Sequence, residues 1–361
     1  MVTHSCVLSE FPAVRASAIV NMNNAIINMS NEVQMPAKSE GIEWPTFALL
    51  IATYLVWGFG VWIWGHNGII SLIVTGIAVA QFSSLQHEAL HGHPTRNALL
   101  NEALVFPALC VFIPFRRFRD THLLHHHDPA LTDPYDDPES NYADPHIWPQ
   151  LSPWLQRVLK FNNTLLGRMV LGPLISLHAV LKGDLVSIGR GDRAVQVAWL
   201  LHLVGLVPVL VGLHWLGMPV LAYLGAVYLG LGLVKIRTFL EHRAHETARA
   251  RTVVVEDRGP LALLFLNNNF HAVHHMHPGV AWYRLPGLYA SRREHYLRCN
   301  QGYVYQSYAE VFRLYLTRAK DPVPHPVWPV EKTGSIRPDQ TSLRKAGTAP
   351  ELSKNGTPGW S

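Results

Sequence analysis

Three histidine clusters carry the chemistry of this chain: His87 and His91 in His-Glu-Ala-Leu-His, His122, His125 and His126 in His-Leu-Leu-His-His, and His271, His274 and His275 in His-Ala-Val-His-His. Residues three and four apart share one face of a helix, so each cluster can aim its imidazoles at a common point. Eight imidazoles exceed what one metal ion binds, and they point to two neighbouring ions. Neutral imidazole suits a borderline transition metal such as iron, and histidine ligation leaves open positions where dioxygen can bind. One such pair alone carries little weight. Three, each beside a long apolar segment, form a specific signal.

Two rival readings use the same residues. The first cluster also spells His-Glu-x-x-His, in which Glu88 would be the general base of a membrane zinc metalloprotease. That reading needs one more ligand and leaves six histidines without a task. A metal carrier or sensor is the non-enzymatic alternative, and it expects exchangeable metal at exposed sites. Cys6, Cys110 and Cys299 are isolated, so the chain has neither a disulfide framework nor an iron–sulfur site. No haem or flavin motif is present, and electrons for oxygen chemistry must come from another protein.

Of the 361 residues, 48% are hydrophobic and 15% charged, a mixture that implies membrane helices carrying an aqueous cap. Residues 44 to 64 run uncharged from Trp44 to Trp64, and the tryptophans suit a membrane interface. Residues 69 to 86 make a second span after the His66-Asn67-Gly68 turn, and its helix continues into water with His87 and His91. Residues 194 to 214 and 218 to 240 repeat the hairpin around Gly217-Met218-Pro219. The expectation is an all-α membrane protein of four transmembrane helices in two hairpins. Glu102, Pro107 and Pro114 make residues 98 to 115 a half-inserted or interfacial helix, and residues 151 to 189 read as an amphipathic helix at the interface.

The formal net charge of +5 is not spread evenly. Neither hairpin turn holds Lys or Arg, whereas Arg96, Arg116, Arg117, Arg119, Lys182, Arg190, Arg193, Arg243, Arg249 and Arg251 lie at the opposite ends. The positive-inside rule then puts both termini and every histidine cluster on the cytoplasmic side of the plasma (inner) membrane. The basic surplus is topology and not nucleic-acid binding. Four Asp-Pro pairs between residues 128 and 145 mark a loop over the cap. Residues 1–43 read as a flexible extension with Met35 as a plausible start, 44–300 as the membrane domain with its cap, 301–320 as the end of the cap, and 321–361 as a disordered tail.

With these boxes the chain resembles the membrane fatty acid desaturase and hydroxylase superfamily over about residues 44 to 300. Leu131-Thr-Asp-Pro-Tyr-Asp-Asp-Pro-Glu-Ser, Phe239-Leu-Glu-His-Arg, and His277-Pro followed by Trp282-Tyr-Arg-Leu-Pro286 are similar to the bacterial branch of carotenoid ketolases, hydrocarbon oxygenases and desaturase-like decarboxylases. The resemblance implies a cytosolic cap holding two iron ions and dioxygen as co-substrate. It also implies a ninth histidine after the fourth span, with His242 after Leu240-Glu241 preferred and His245 the alternative. Glu241, Asn269 and His245 are further candidates at or behind the metals, and Glu88, Asp120, Asp128, Asn267 and Asn268 could hold imidazole tautomers. His93, His127 and His277 adjoin the boxes, while His202 and His214 read as polar groups within a span.

The expected reaction is oxygen-dependent attack on a C–H bond of a fatty acyl or related lipid, desaturation first. Decarboxylation to a terminal alkene and hydroxylation or ketolation of an alkane or carotenoid are the alternatives. Decarboxylation needs a cation for the carboxylate, for which Arg116, Arg117, Arg119 and Arg237 are the candidates. The expected electron donor is a ferredoxin or rubredoxin with its reductase. Gly205, Gly212, Gly225, Gly230 and Gly232 in the second hairpin read as close packing before they read as a lipid tunnel.

Overall fold

A computed structural model describes residues 41–126 and 131–328. The first helix among the described residues is α1, Trp44–Trp62, which has Pro45 in its first turn, where a missing N–H costs nothing, and a 3₁₀ turn carries it to Gly65. Asn67 caps α2, Gly68–Leu90, by accepting from the Ile70 amide. The second hairpin is α7, Arg193–Leu216, and α8, Val220–Thr238, with Asp192 capping its start. Gly217 at its turn has φ 79°, a left-handed conformation that closes a helix and favours glycine.

Between the hairpins come α3, Ala98–Leu104, α4, Phe115–His125, α5, Pro153–Asn162, and α6, Leu165–Gly189. The cap adds α9, Pro260–Leu264, α10, His271–Met276, α11, Leu285–Ser291, α12, Arg293–Cys299, and α13, Tyr308–Tyr315. Among the described residues one parallel pair of short strands departs from an all-helical pattern: β1, Val254–Val255, against β2, Val304–Tyr305, in the register Val254 to Val304. This pairing ties residues beyond 300 into the cap.

The two hairpins pack most tightly where α2 meets α8. A Cβ on Gly230 would stand 2.6 Å from the Gly76 carbonyl oxygen, so the helices approach backbone to backbone at this crossing. Gly205 and Gly232 likewise face the carbonyls of Phe106 and Met169, and Gly212 faces Trp57, as close packing requires. The outward faces of the long helices are apolar: Leu55, Ile69, Leu185, Leu200, Trp215 and Leu221 are all well exposed. Such surfaces suit hydrocarbon, and the inward faces instead bury Tyr223, Phe82 and Leu213.

Four expectations change. Residues 98 to 115 hold only the seven-residue α3, because Pro107 and Pro114 break the helix. The irregular backbone after it inserts among the hairpins, where Tyr54 donates to the Leu104 carbonyl, Tyr223 to Leu109, and His202 Nε2 to Val111. Side chains of the spans thus replace the hydrogen bonds that a helix would supply. His202 has its structural role here.

Residues 151 to 189 form two helices, and α6 is long and apolar enough to cross a membrane, making five such helices among the described residues where the sequence suggested four. Composition cannot separate it from a span, because residues 169 to 181 carry no charged side chain. Both of its ends nevertheless touch cap residues. The Leu166 amide donates to the Leu316 carbonyl, and Asp184 pairs with Arg117 of α4 at 2.8 Å while accepting from Trp199 Nε1.

The segment boundaries also shift. Glu43, assigned to the extension, is buried and pairs with His93 Nδ1 at 2.8 Å. Residues 321 to 328, assigned to a disordered tail, lie against the Asp-Pro loop: Val323 O accepts from Ala143 N, and His325 is buried. Backbone pairing and one buried lysine hold this segment, features that its Pro-rich composition conceals. Residues 1–40 and 329–361, with the expectations placed on them, fall outside the described residues, as do His127 and Asp128.

Candidate metal centre

The fold brings all nine expected histidines to one place. Helix α2 carries His87 past its apolar stretch with His91 at its end, α4 carries His122 and His125 with His126 at its end, and α10 carries His271, His274 and His275. His242 follows α8 on an extended stretch that pairs with Thr252. Two quartets result, His87, His91, His122 and His274 in one and His125, His242, His271 and His275 in the other. Within each, one ligand nitrogen per residue lies within 4.8 Å of the others, a spread that one ion with bonds of about 2 Å can draw together.

His126 belongs to neither quartet and stands between them. Its Nε2 atom is 3.0 Å from His122 Nε2, and its ring stacks on His275 with centroids 4.3 Å apart. The rings of His91 and His274 flank it at 4.9 and 5.0 Å.

Acceptors behind the rings fix which nitrogen faces inward. His122 Nδ1 meets Glu139 Oε1 at 2.9 Å, His125 Nδ1 meets Asp137 Oδ1 at 2.7 Å, and His271 Nδ1 meets Asn268 Oδ1 at 3.1 Å. In the neutral ring each Nδ1 carries the proton toward its oxygen, so the lone pair open to a metal is on Nε2, on the side of the cluster. In the second quartet His125 Nε2 and His271 Nε2 lie 2.9 and 3.1 Å from His242 Nε2. In the first, His87, His91 and His274 each bury an Nε2 with no hydrogen-bond partner. Buried lone pairs without donors are costly, on the order of 1–3 kcal/mol each, and cations between them remove that cost. The residues fit two transition-metal ions.

Electrostatics agree in direction. Burial, followed by neighbouring imidazoles, holds His242, His271 and His274 well below the ordinary histidine range, so they are neutral and ready to ligate. His126 is lowered in the same way. His125 differs: burial opposes its charge, but Glu139 and Asp137 outweigh burial and hold it up to about 9. Burial would raise Glu139, yet His125 and His122 keep its carboxyl well below the usual range.

The other candidates lie around this core. His245 Nδ1 accepts from the Thr247 amide and joins neither quartet, while His242 does. Glu241 takes an ion pair from Arg237 at 2.8 Å and accepts from Asn268 Nδ2, one step behind His271. Asn269 donates to the carbonyls of Val255 and Asp257, and Asn267 to Trp282, so Asn268 alone of the three supports a histidine. Glu88 turns toward the Trp282 amide at 3.1 Å, and Asp120 lies at the surface paired with Arg119. His93 pairs with Glu43, and His277 packs on Tyr296.

The sequence missed Asp137 and Glu139. They lie 12 and 17 residues beyond their imidazoles in the Asp-Pro loop, and the available signal was only an acidic turn soon after a histidine box. The four arginines considered for a substrate carboxylate are all engaged: Arg116 with Glu102, Arg117 with Asp184, Arg119 with Asp120, and Arg237 with Glu241.

Comparison with known proteins accords with this geometry. Residues 62–307 match the family described as fatty acid desaturase. A beta-carotene ketolase of Paracoccus sp. (strain N81106 / MBIC 01143) is 25% identical over 226 residues, which cover 59% of this chain and 75% of the ketolase.

Proposed function

The chain belongs to the fatty acid desaturase family, and we propose on that premise that it is a non-haem diiron membrane oxidase, using dioxygen to oxidise a C–H bond of a lipid. The observation that carries the reading is the pair of histidine quartets with buried, inward-facing Nε2 atoms. Bound iron would supply a reducible centre able to activate dioxygen against an unactivated C–H bond. The chain's own part is to keep eight imidazoles in two converging sets, to hold their outer nitrogens with Asp137, Glu139 and Asn268, and to exclude water from the reacting carbon.

The substrate is a fatty acyl chain and the outcome desaturation, a reading supported by the family and by the apolar outer faces of the helices. A second reading, ketolation or hydroxylation of a carotenoid, is favoured by the similarity to the ketolase. Decarboxylation loses support because its candidate arginines are paired. The zinc protease reading loses support because Glu88 is bound to the Trp282 amide beside a cluster of nine histidines.

Four helices, α1, α2, α7 and α8, cross the membrane, and α6 lies along its surface because both its ends contact the cap. The cap faces the cytoplasm of the inner membrane, following the arginine distribution. Electrons come from a ferredoxin or rubredoxin and its reductase.

Coexpression with a ferredoxin and its reductase, feeding of fatty acids and of carotenoids, and profiling of lipid products test the reading. An oxygen-dependent alkene in an acyl chain is expected, and a ketone or alcohol on a carotenoid establishes the second reading. An iron-loaded protein that makes neither product in the presence of the donor overturns both.

A further inference from the structure

His242 is the one member of the quartets that lies neither in a helix nor at a helix end, and a separate device fixes it. Residues 316 to 328 run as a strap across the cap. Leu316 O accepts from the Leu166 amide, Ala319 pairs with Thr164, and the Lys320 amide donates to the Asn163 carbonyl. From this strap Lys320 reaches inward, with its side chain only 8% exposed, and Nζ donates to the His242 carbonyl at 2.6 Å. The same ammonium lies 3.3 Å from Asp321 Oδ2 and over the Phe239 ring. Tyr142 donates to that Asp321 carboxylate and accepts from the Ala244 amide at 2.8 Å, so the backbone on both sides of Arg243 is held.

The strap also holds the opposite side of the quartet. The His325 amide donates to the Ala143 carbonyl, and its Nε2 meets the Thr132 hydroxyl at 3.1 Å. The Thr132 amide in turn donates to Asp137 Oδ2, and Asp137 Oδ1 receives His125 Nδ1. His125 and His242, whose Nε2 atoms are 2.9 Å apart, are therefore clasped from the two ends of one segment. In the first quartet His122 shares that loop, since Glu139 holds its Nδ1 and donates its amide to Asp137 Oδ1, whereas His87 lies on α2 with His91 at its end and His274 on α10.

We propose that Lys320 is a positioning residue for the second metal, and that its hold on the His242 backbone sets the affinity of the second quartet without setting that of the first. This rests on the two-metal reading above. A buried ammonium bound to a carbonyl restrains the backbone of His242, and losing such an outer support typically weakens metal binding about 10- to 100-fold.

The test uses the full chain in lipid nanodiscs, titrated with iron(II) without oxygen and separately with cobalt(II), whose visible spectrum reports histidine ligation. Wild-type protein binding two ions is the baseline; fewer than two would defeat the two-metal reading itself, whatever the variants do. Lys320→Met is expected to bind the first ion normally and the second about 10- to 100-fold more weakly, with Lys320→Arg restoring most of the affinity. Equal loss at both positions, or no loss at either, overturns the proposal. Should Lys320→Met not fold, Tyr142→Phe removes one hydroxyl from Asp321 and from the Ala244 amide without opening a space. Weakening of the second ion alone supports the proposal, and unchanged binding of both overturns it.

Discussion

Glu139 and His125 face one another across the gap between the quartets: one carboxylate oxygen lies 3.9 Å from His125 Nε2, while the other holds His122 Nδ1 at 2.9 Å. One side chain thus touches an imidazole of each quartet. Glu139→Gln keeps the shape and removes the charge, so it should loosen both sets together. The expected outcome is about 10- to 100-fold weaker binding of both ions, read by metal titration and by iron content after purification. Wild-type content at both positions would show that the carboxylate is dispensable.

Proton release provides a second test. Glu139 and Asp137 hold His125 up to about 9, above the ordinary value of 6.5, so the metal-free folded protein keeps this proton through neutral pH. That proton's contribution to metal-free stability is complete below about 6.5 and is lost as pH rises through about 9. A metal must displace it, because imidazole ligates in its neutral form. Uptake into the second quartet at pH 7.5 should release about one proton from His125, and affinity there should rise with pH up to about 9. Calorimetry in two buffers of different ionisation enthalpy measures the release, and proton-neutral uptake would contradict it.

Asp137→Asn separates orientation from charge. An amide can still accept from His125 Nδ1, but its negative charge is gone, and the His125 pKa should fall toward the ordinary value. The proton released on metal uptake should diminish while the second ion binds about 10- to 100-fold more weakly. Unaltered affinity together with unaltered proton release would remove Asp137 from the centre.

The imidazoles were readable because their spacing is local: i, i+3 and i+4 on a helix decide which residues share a face before any tertiary contact forms. The long apolar helices were readable because uncharged runs such as the one edged by Trp44 and Trp64 depend on composition alone. Asp137, Glu139 and Lys320 were not, since each acts through a contact whose partner is 12, 17 or 78 residues away and follows no period. The Arg117–Asp184 pair that ties the end of α6 to α4 escaped for a related reason, because it joins residues 67 apart.

The packing of the hairpins makes a prediction about stability and not chemistry. Gly230→Ala would put a methyl group 2.6 Å from the Gly76 carbonyl, with backbone and not a flexible side chain in its way. Helices α2 and α8 must separate to admit it, at a cost of about 1–3 kcal/mol. A lower melting temperature in detergent checks this, and Gly225→Ala, where the nearest atom is 4.0 Å away, serves as the control expected to melt like wild type.

The ninth histidine can be assigned by paired substitutions. His242 contributes Nε2 to the contact with both His125 and His271, so His242→Ala removes the atom on which the second quartet converges. It should lose the second ion and all oxygen-dependent turnover. His245 spends Nδ1 on the Thr247 amide and its carbonyl on Arg251, contacts that serve only the turn after the ligand. His245→Ala should therefore retain two ions and turn over within a few-fold of wild type. Metal content and product formation measured on the same preparations decide the matter: loss of metal in His245→Ala with retention in His242→Ala would exchange their roles. Loss in both would mean that the turn from His242 to Thr252 acts as one unit.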